Sequence, residues 1–247
     1  MIQSVDRAAR ILNALAASSG RLGVSELSAE LDLAKGTVHG LVKTLRDHGL
    51  VEQDLESDKY QLGPALLKLS NRFLHLNELR SRSQAWSESL AARTHEAVRV
   101  GMAHGDGVLI VHHVFRPDAS LQMLEVGAVL PLHATALGKA VLAHLGEDEE
   151  RAVLAGELPR LTGRTLDAEA LRSELEEIRA RRYALEREEA VLGEASVAAP
   201  IFSRRGSVAG AIGVVGSPER ILESGGSPQA PAVVEVARAI SRELGAP

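Results

Sequence analysis

Lys35, Thr37, His39 and Lys43, with Gly36 and Gly40 among them, are the residues of this 247-residue chain with the clearest chemical reading. They fall on one side of a predicted helix. The other side holds Val38, Leu41, Val42 and Leu45 at i, i+3, i+4 and i+7, a single apolar stripe. Arg46 adds a further cation. A glycine in a helix interior costs roughly 1 kcal/mol relative to alanine, so two on a polar face need a reason. Cations, small donors and bare backbone together suit close approach to a polyanion, and a DNA major groove is such a surface. The plainer alternative is an amphipathic helix built from weak helix formers.

Other reactive side chains do not assemble into a catalytic set. Residues 133–139 end in Gly-Lys, but His133 stands where a phosphate-binding loop needs its first glycine. His95-Glu96 has no second histidine four residues on, so it is not a zinc helix. His112 and His113 are adjacent in a strand pattern and point to opposite faces, so only one could join His104 or His133 around a metal. No Gly-x-Ser-x-Gly elbow occurs. No catalytic residue, metal or cofactor is expected. A small-molecule-binding enzyme with an appended DNA-binding domain is the competing class, and it would need a constellation that is not found. A third reading, a domain used only for protein contacts, does not account for the glycine-and-cation face.

The elements that must position this face follow from patterning. Val5, Ala8, Leu12 and Leu15 predict a first helix capped by Ser4 or Asp6. A short helix capped by Ser25 turns Leu27 and Leu31 inward. Asp32-Leu33-Ala34 is the turn, and the glycine-bearing helix runs to Gly49. Residues 50–53 and 60–62 predict two strands around the polar turn 54–59. A helix-turn-helix followed by a hairpin wing is a more specific signal than the helices alone. Ser4, Lys35, Gly36, Thr37, His39, Gly40 and Lys43 are the candidate contacts to double-stranded DNA.

Composition narrows the class. Net charge is −5, and through Leu62 nine acids outnumber seven bases. Binding would therefore rest on a placed face, on helix N-termini and on two copies of the domain rather than on bulk charge. Aromatics at 2% argue against stacking on single strands. Cysteine is absent, which removes disulfides and thiolate chemistry. No apolar run approaches the about 18 residues of a membrane span, and no basic segment leads into an apolar one. A cytoplasmic protein, not bound to membrane, is expected.

Beyond the wing, residues 64–78 predict one helix with Leu66, Leu69, Phe73 and Leu76 inward, and a second follows near 83–94 with Trp86 and Leu90. Val98, Val100 and Met102 alternate up to the Gly105-Asp106-Gly107 turn, and 108–114 returns as a strand. A second hairpin spans 196–202 and 208–215. Helices are expected near 136–144, 148–155 and 168–182, and a loop over 224–231 precedes a last helix at 232–244. Paired strands flanked by helices fit an antiparallel α+β domain.

Leu-Ala-Lys-Gly-Thr-Val-His from Leu33, then Gly-Leu-Val-Glu-Gln-Asp and Tyr-Gln-Leu-Gly, resembles the N-terminal domain of IclR-type bacterial transcriptional regulators. Leu132-His-Ala-Thr-Ala-Leu-Gly-Lys139, Glu188-Glu189 and Ala198-Ala-Pro-Ile201 extend the likeness over nearly the whole chain. His112 to Asp118 is similar to the glycerol-operon members of that family. The chain departs from the pattern at Gly36, where serine is usual, and at Gly40, where arginine is usual.

The resemblance implies an α/β (α+β) chain in three parts. These are a winged helix-turn-helix over 1–63, a linker helix over 64–80 that also serves dimerisation, and a GAF-like effector domain over 81–247. It implies a homodimer or dimer of dimers on a palindromic operator, released by a small molecule, with glycerol 3-phosphate a candidate. Carried over by position, the effector site falls on Ala136, Leu137, Glu186, Ser196, Gly213 and Val215. Ser196 replaces a usual cysteine, and Gly213 and Val215 replace serines, which implies a roomier pocket. Free N–H groups at the helix start near Leu137 would suit an anion.

Overall fold

A 3.6-residue apolar period gives way to a 2-residue period twice along the chain, and the structure, a computed structural model, follows that division. It describes residues 2–18, 20–118, 122–223 and 226–247. The chain forms two compact units, Met1–Leu76 and Asn77–Pro247.

In the first unit, α1 (Gln3–Ala17), α2 (Val24–Leu31) and α3 (Lys35–Asp47) surround a core of Ile11, Leu15, Leu27, Leu31, Val38, Val42 and Leu45. Strands β1 (Val51–Gln53) and β2 (Tyr60–Leu62) pair antiparallel as the wing, with Val51 and Tyr60 closing the core. Leu22 bridges Tyr60 through two backbone hydrogen bonds of 3.0 and 2.8 Å, which ties the wing to the entry of α2. The α2–α3 turn is made by Asp32 at φ +52°, with Ser28 Oγ donating to the Leu33 carbonyl at 2.5 Å.

Several local expectations are corrected. α1 is preceded by Ile2 and has no side-chain cap, so Ser4 lies inside the first turn. α2 starts after Gly23, whose N–H donates to Glu26 at 2.6 Å, and Ser25 is not its cap. The buried positions of α1 are Ile11, Ala14 and Leu15, while Val5 is exposed. The next helix, α4, runs Ala65–Leu76 and ends before Asn77, whose side chain accepts the Arg80 N–H and caps α5 (Glu78–Thr94). Leu69, Phe73 and Leu76, expected inward, are 62%, 49% and 68% exposed, and no α4 residue is buried. A stripe of the right period exists, but its side chains are exposed.

The second unit is built on a six-stranded antiparallel sheet of order β5-β4-β3-β8-β7-β6. Its strands are β3 (Ala97–His104), β4 (Gly107–Val114), β5 (Val129–Pro131), β6 (Ala184–Arg187), β7 (Ala195–Phe202) and β8 (Val208–Gly216). β5 and β6, each four residues or fewer, are the strands that patterning missed; they form the two edges. α6 (Ala136–Leu142) packs on β7 and β8, with α7 (Glu147–Ala155) and α8 (Ala168–Arg181) alongside. α5 packs on β3 and β4, and α10 (Ala230–Glu243) on β7 and on α5; the short α9 (Pro218–Ile221) lies before it. Helices therefore cover β7 and β8 closely, and β7 is buried along most of its length. Of the expected 224–231 loop, Ser224 and Gly225 lie outside the described residues. No helix among the described residues is long and apolar enough to cross a membrane.

Candidate functional site

The first site is the outer face of α3. Lys35, Gly36, His39, Gly40 and Lys43 are all exposed and Thr37 is half-buried, while Val38, Val42 and Leu45 hold the core. A side chain built at Gly36 or at Gly40 would meet no atom within 4 Å. Neither glycine is therefore required by packing within the chain, and the helix gives up stability at both positions.

Side-chain pairing explains how a slightly acidic domain can present a basic face. Arg21 pairs with Asp54 at 2.6 Å and Lys59 with Glu26 at 2.9 Å, bracing the wing. Arg10 donates to the Leu31 carbonyl at 3.0 Å, and Arg46 to Gln53 at 2.8 Å. Lys35 and Lys43 have no such partner among the described residues. They stand eight residues apart, two turns of one helix face. α3 begins after Ala34, which supplies no side-chain cap; the Ala34 carbonyl accepts the Thr37 N–H at 2.9 Å.

The second site is a small cavity against the sheet of the second unit, about 10 Å³ in this conformation, room for about one water. Of the residues named for an effector, Leu137, Ser196, Gly213 and Val215 line it; Ala136 and Glu186 do not. Glu186 stands behind the wall. Its Oε2 accepts from Ser196 Oγ at 2.9 Å and its Oε1 from the Glu189 N–H at 2.8 Å. Burial pushes its carboxyl up to about 7, against those two hydrogen bonds.

Two expectations about this cavity are overturned. Gly213 does not leave room: a Cβ there would sit 2.6 Å from the Val197 carbonyl oxygen and 2.8 Å from Ala198 Cβ. It is a packing requirement where β7 and β8 approach closely. The start of α6 is not an open anion site either. Thr135 caps it, its Oγ1 accepting from Gly138 N–H at 3.0 Å, and every residue of the helix is buried.

The cavity's positive charge comes instead from Arg99, which sequence reasoning missed along with Glu194 and Thr135. Arg99 lies on β3 opposite Gly213. A guanidinium within the otherwise small and apolar run Ala97-Val98-Arg99-Val100-Gly101 was the signal that could have exposed it. Its side chain is 12% exposed and is held by Glu194 at 2.9 Å and by Glu125. Burial opposes its charge, but these two carboxylates outweigh burial and raise its pKa.

Beside the cavity, Lys139 is fully buried. Its Nζ lies 2.7 Å from both Glu189 oxygens and 3.0 Å from Glu174 Oε2. Glu189 is thus half of a buried ion pair. His133 contacts the Pro159 carbonyl at 2.9 Å, and among the described residues no three metal-ligating side chains gather. A wider groove of about 550 Å³, with Arg182, Arg238 and Arg242 among its lining residues, holds none of the expected site residues.

A winged helix-turn-helix with an open cationic helix, joined in one chain to a sensor-like α+β unit with a charged internal cavity, defines a DNA-binding regulator. Residues 4–55 match the IclR helix-turn-helix domain, and residues 71–242 match the bacterial transcriptional regulator IclR C-terminal domain. The chain belongs to the IclR family of transcriptional regulators. It is 47% identical to a protein of Streptomyces griseus named glycerol operon regulatory protein, covering 99% of this chain and 97% of that one. The protein of the same name in Streptomyces coelicolor is 46% identical over the same shares. The crystal structure of an IclR-type regulator from Alicyclobacillus acidocaldarius superposes with a TM-score of 0.87 at 27% identity, covering 99% of this chain and all of that one.

Proposed function

We propose that this regulator represses a glycerol-catabolic operon by binding a palindromic operator, and that a small metabolite releases it. Glycerol 3-phosphate is the first candidate. The observation that carries the reading is the end-to-end likeness to the two Streptomyces glycerol operon regulatory proteins.

Residues 1–63 read DNA in this proposal, 64–80 connect, and 81–247 sense the effector. Thr37 and His39 reach base edges or nearby phosphates. Lys35 and Lys43 contact phosphates, Gly36 and Gly40 let the helix approach closely, and Ser4 adds a hydroxyl from the first turn of α1. The metabolite enters the cavity at Leu137, Ser196, Gly213 and Val215, with Ala136 and Glu186 behind. The protein acts in the cytoplasm as a homodimer or dimer of dimers. The uncovered stripe of Leu69, Phe73 and Leu76 on α4 supports self-association, because exposed apolar stripes of this period are covered in stable assemblies.

Footprinting on the promoter of a glycerol-uptake operon, with and without glycerol 3-phosphate, tests the reading. Two symmetric half-sites about 10 bp apart, or a multiple of that, are expected, with protection lost on adding the metabolite. A single asymmetric half-site, or release by an unrelated metabolite alone, would count against it.

A further inference from the structure

The cation of the cavity is already engaged in the way a ligand would engage it. Glu194 lines the cavity and meets Arg99 at two points, Oε1 to Nη1 at 2.9 Å and Oε2 to Nη2 at 3.3 Å. This is the fork geometry with which a guanidinium takes up a carboxylate or a phosphate. Glu125 holds the far side, at 2.7 Å from Nη2, and does not line the cavity.

The charge balance there is unfavourable. One guanidinium faces two carboxylates, and Glu186, pushed up mainly by burial, is pushed further by Glu194. An added anion would need a carboxylate to leave, and the cavity that Glu194 helps to line has room for only about one water. Arg99 is fixed on a central strand and buried. Glu194 sits in the turn before β7, directly after Gly193, and its side chain is 30% exposed. It can hand its charge to water; Arg99 cannot follow it.

We propose that Glu194 is an internal stand-in for the effector, and that the effector carries a carboxylate or phosphate group that displaces Glu194 from Arg99. This rests on the effector-cavity reading above and names its ligand class. Displacement also reaches beyond the cavity. The Glu194 carbonyl accepts the Glu188 N–H at 2.8 Å, and the next residue, Glu189, holds Lys139 of α6. A shift of the Glu194 backbone would therefore be felt by the segment that anchors α6.

Calorimetry on the full chain with glycerol 3-phosphate, glycerate and glycerol separates the possibilities. The wild type should bind one or both anions and not glycerol; which anion binds distinguishes phosphate from carboxylate. Glu194→Gln should bind that anion at least about ten-fold more tightly, the worth of one charge-assisted contact no longer competed for. Arg99→Gln should lose it, with Arg99→Lys between. A thermal scan confirms that each variant is folded. Unchanged or weaker anion binding in folded Glu194→Gln overturns the proposal, as does glycerol binding as tightly as the anions. Failure of all three probes to bind Glu194→Gln overturns it too. If a probe binds and Ser196→Val weakens it while Arg99→Gln and Glu194→Gln do not, the cavity reading survives and the exchange does not.

Discussion

The two helices at the candidate sites begin in opposite ways. α3 starts after Ala34 with no side-chain cap, and its Lys35, His39 and Lys43 are exposed. α6 starts after Thr135, whose hydroxyl takes the Gly138 N–H, and all seven of its residues are buried. Both starts combine small residues with a lysine, Ala34-Lys-Gly-Thr37 in one and Ala136-Leu-Gly-Lys139 in the other. On α3 the lysines are exposed. On α6 the lysine is spent on Glu189 and Glu174 inside the fold, and the cation that lines the cavity is a strand residue, Arg99. The same residue types lie at the surface or in the core according to what packs around them.

The strongest way to sharpen that contrast is to make one substitution in both places. Lys139→Ala should cost about 3–5 kcal/mol, because it leaves Glu189 buried without its cation. Lys43→Ala should change stability by no more than about 0.5 kcal/mol. It should instead weaken binding to all DNA sequences and reduce the salt slope by about 1. Denaturant titrations and binding at several salt concentrations report both. Comparable stability losses for the two lysines would erase the distinction.

Glu186 tests the buried side through pH. Its carboxyl is raised from 4.5 to about 7, so the folded protein keeps this proton where the unfolded chain has lost it. Its penalty is absent below about pH 4.5, grows as pH rises to about 7 and is complete above that. Glu186→Gln should match the wild type near pH 4 and exceed it by about 3 kcal/mol at pH 8. Parallel stability profiles across that range would show that the carboxyl titrates normally. The variant should also keep or improve the affinity for an anionic effector, with the gain growing above pH 7.

The glycines set the smaller effects. Gly213→Ser should destabilise by about 1–3 kcal/mol, since its Cβ must displace the β7 backbone. Gly40→Ala should stabilise by up to about 1 kcal/mol, because its Cβ meets nothing. Gly40→Arg should shift operator preference, by collision or by a new base contact. If operator preference is unmoved, Gly40 is only a weak helix former on a surface that DNA does not approach.

Periodicity alone determined a great deal of this protein. The helix-turn-helix, the wing strands at 51–53 and 60–62, and the two long hairpins of the sheet all follow from local apolar spacing, because each repeats a pattern within its own few residues. Edge strands β5 and β6 escaped, being too short to show a period. The caps at Ser4 and Ser25 were misplaced because Ile2 and Gly23 could precede the same helices with no side-chain oxygen.

Tertiary structure alone decided the chemistry of the cavity. Glu125 and Glu194 lie 26 and 95 residues along the chain from Arg99, and the three meet only when β3 lies between β4 and β8. Whether a glycine is open or crowded, and whether a lysine is offered or consumed, depends on neighbours brought from elsewhere in the chain. Local sequence contains the residue; the low-dielectric surroundings that set its charge and its cost come from the fold.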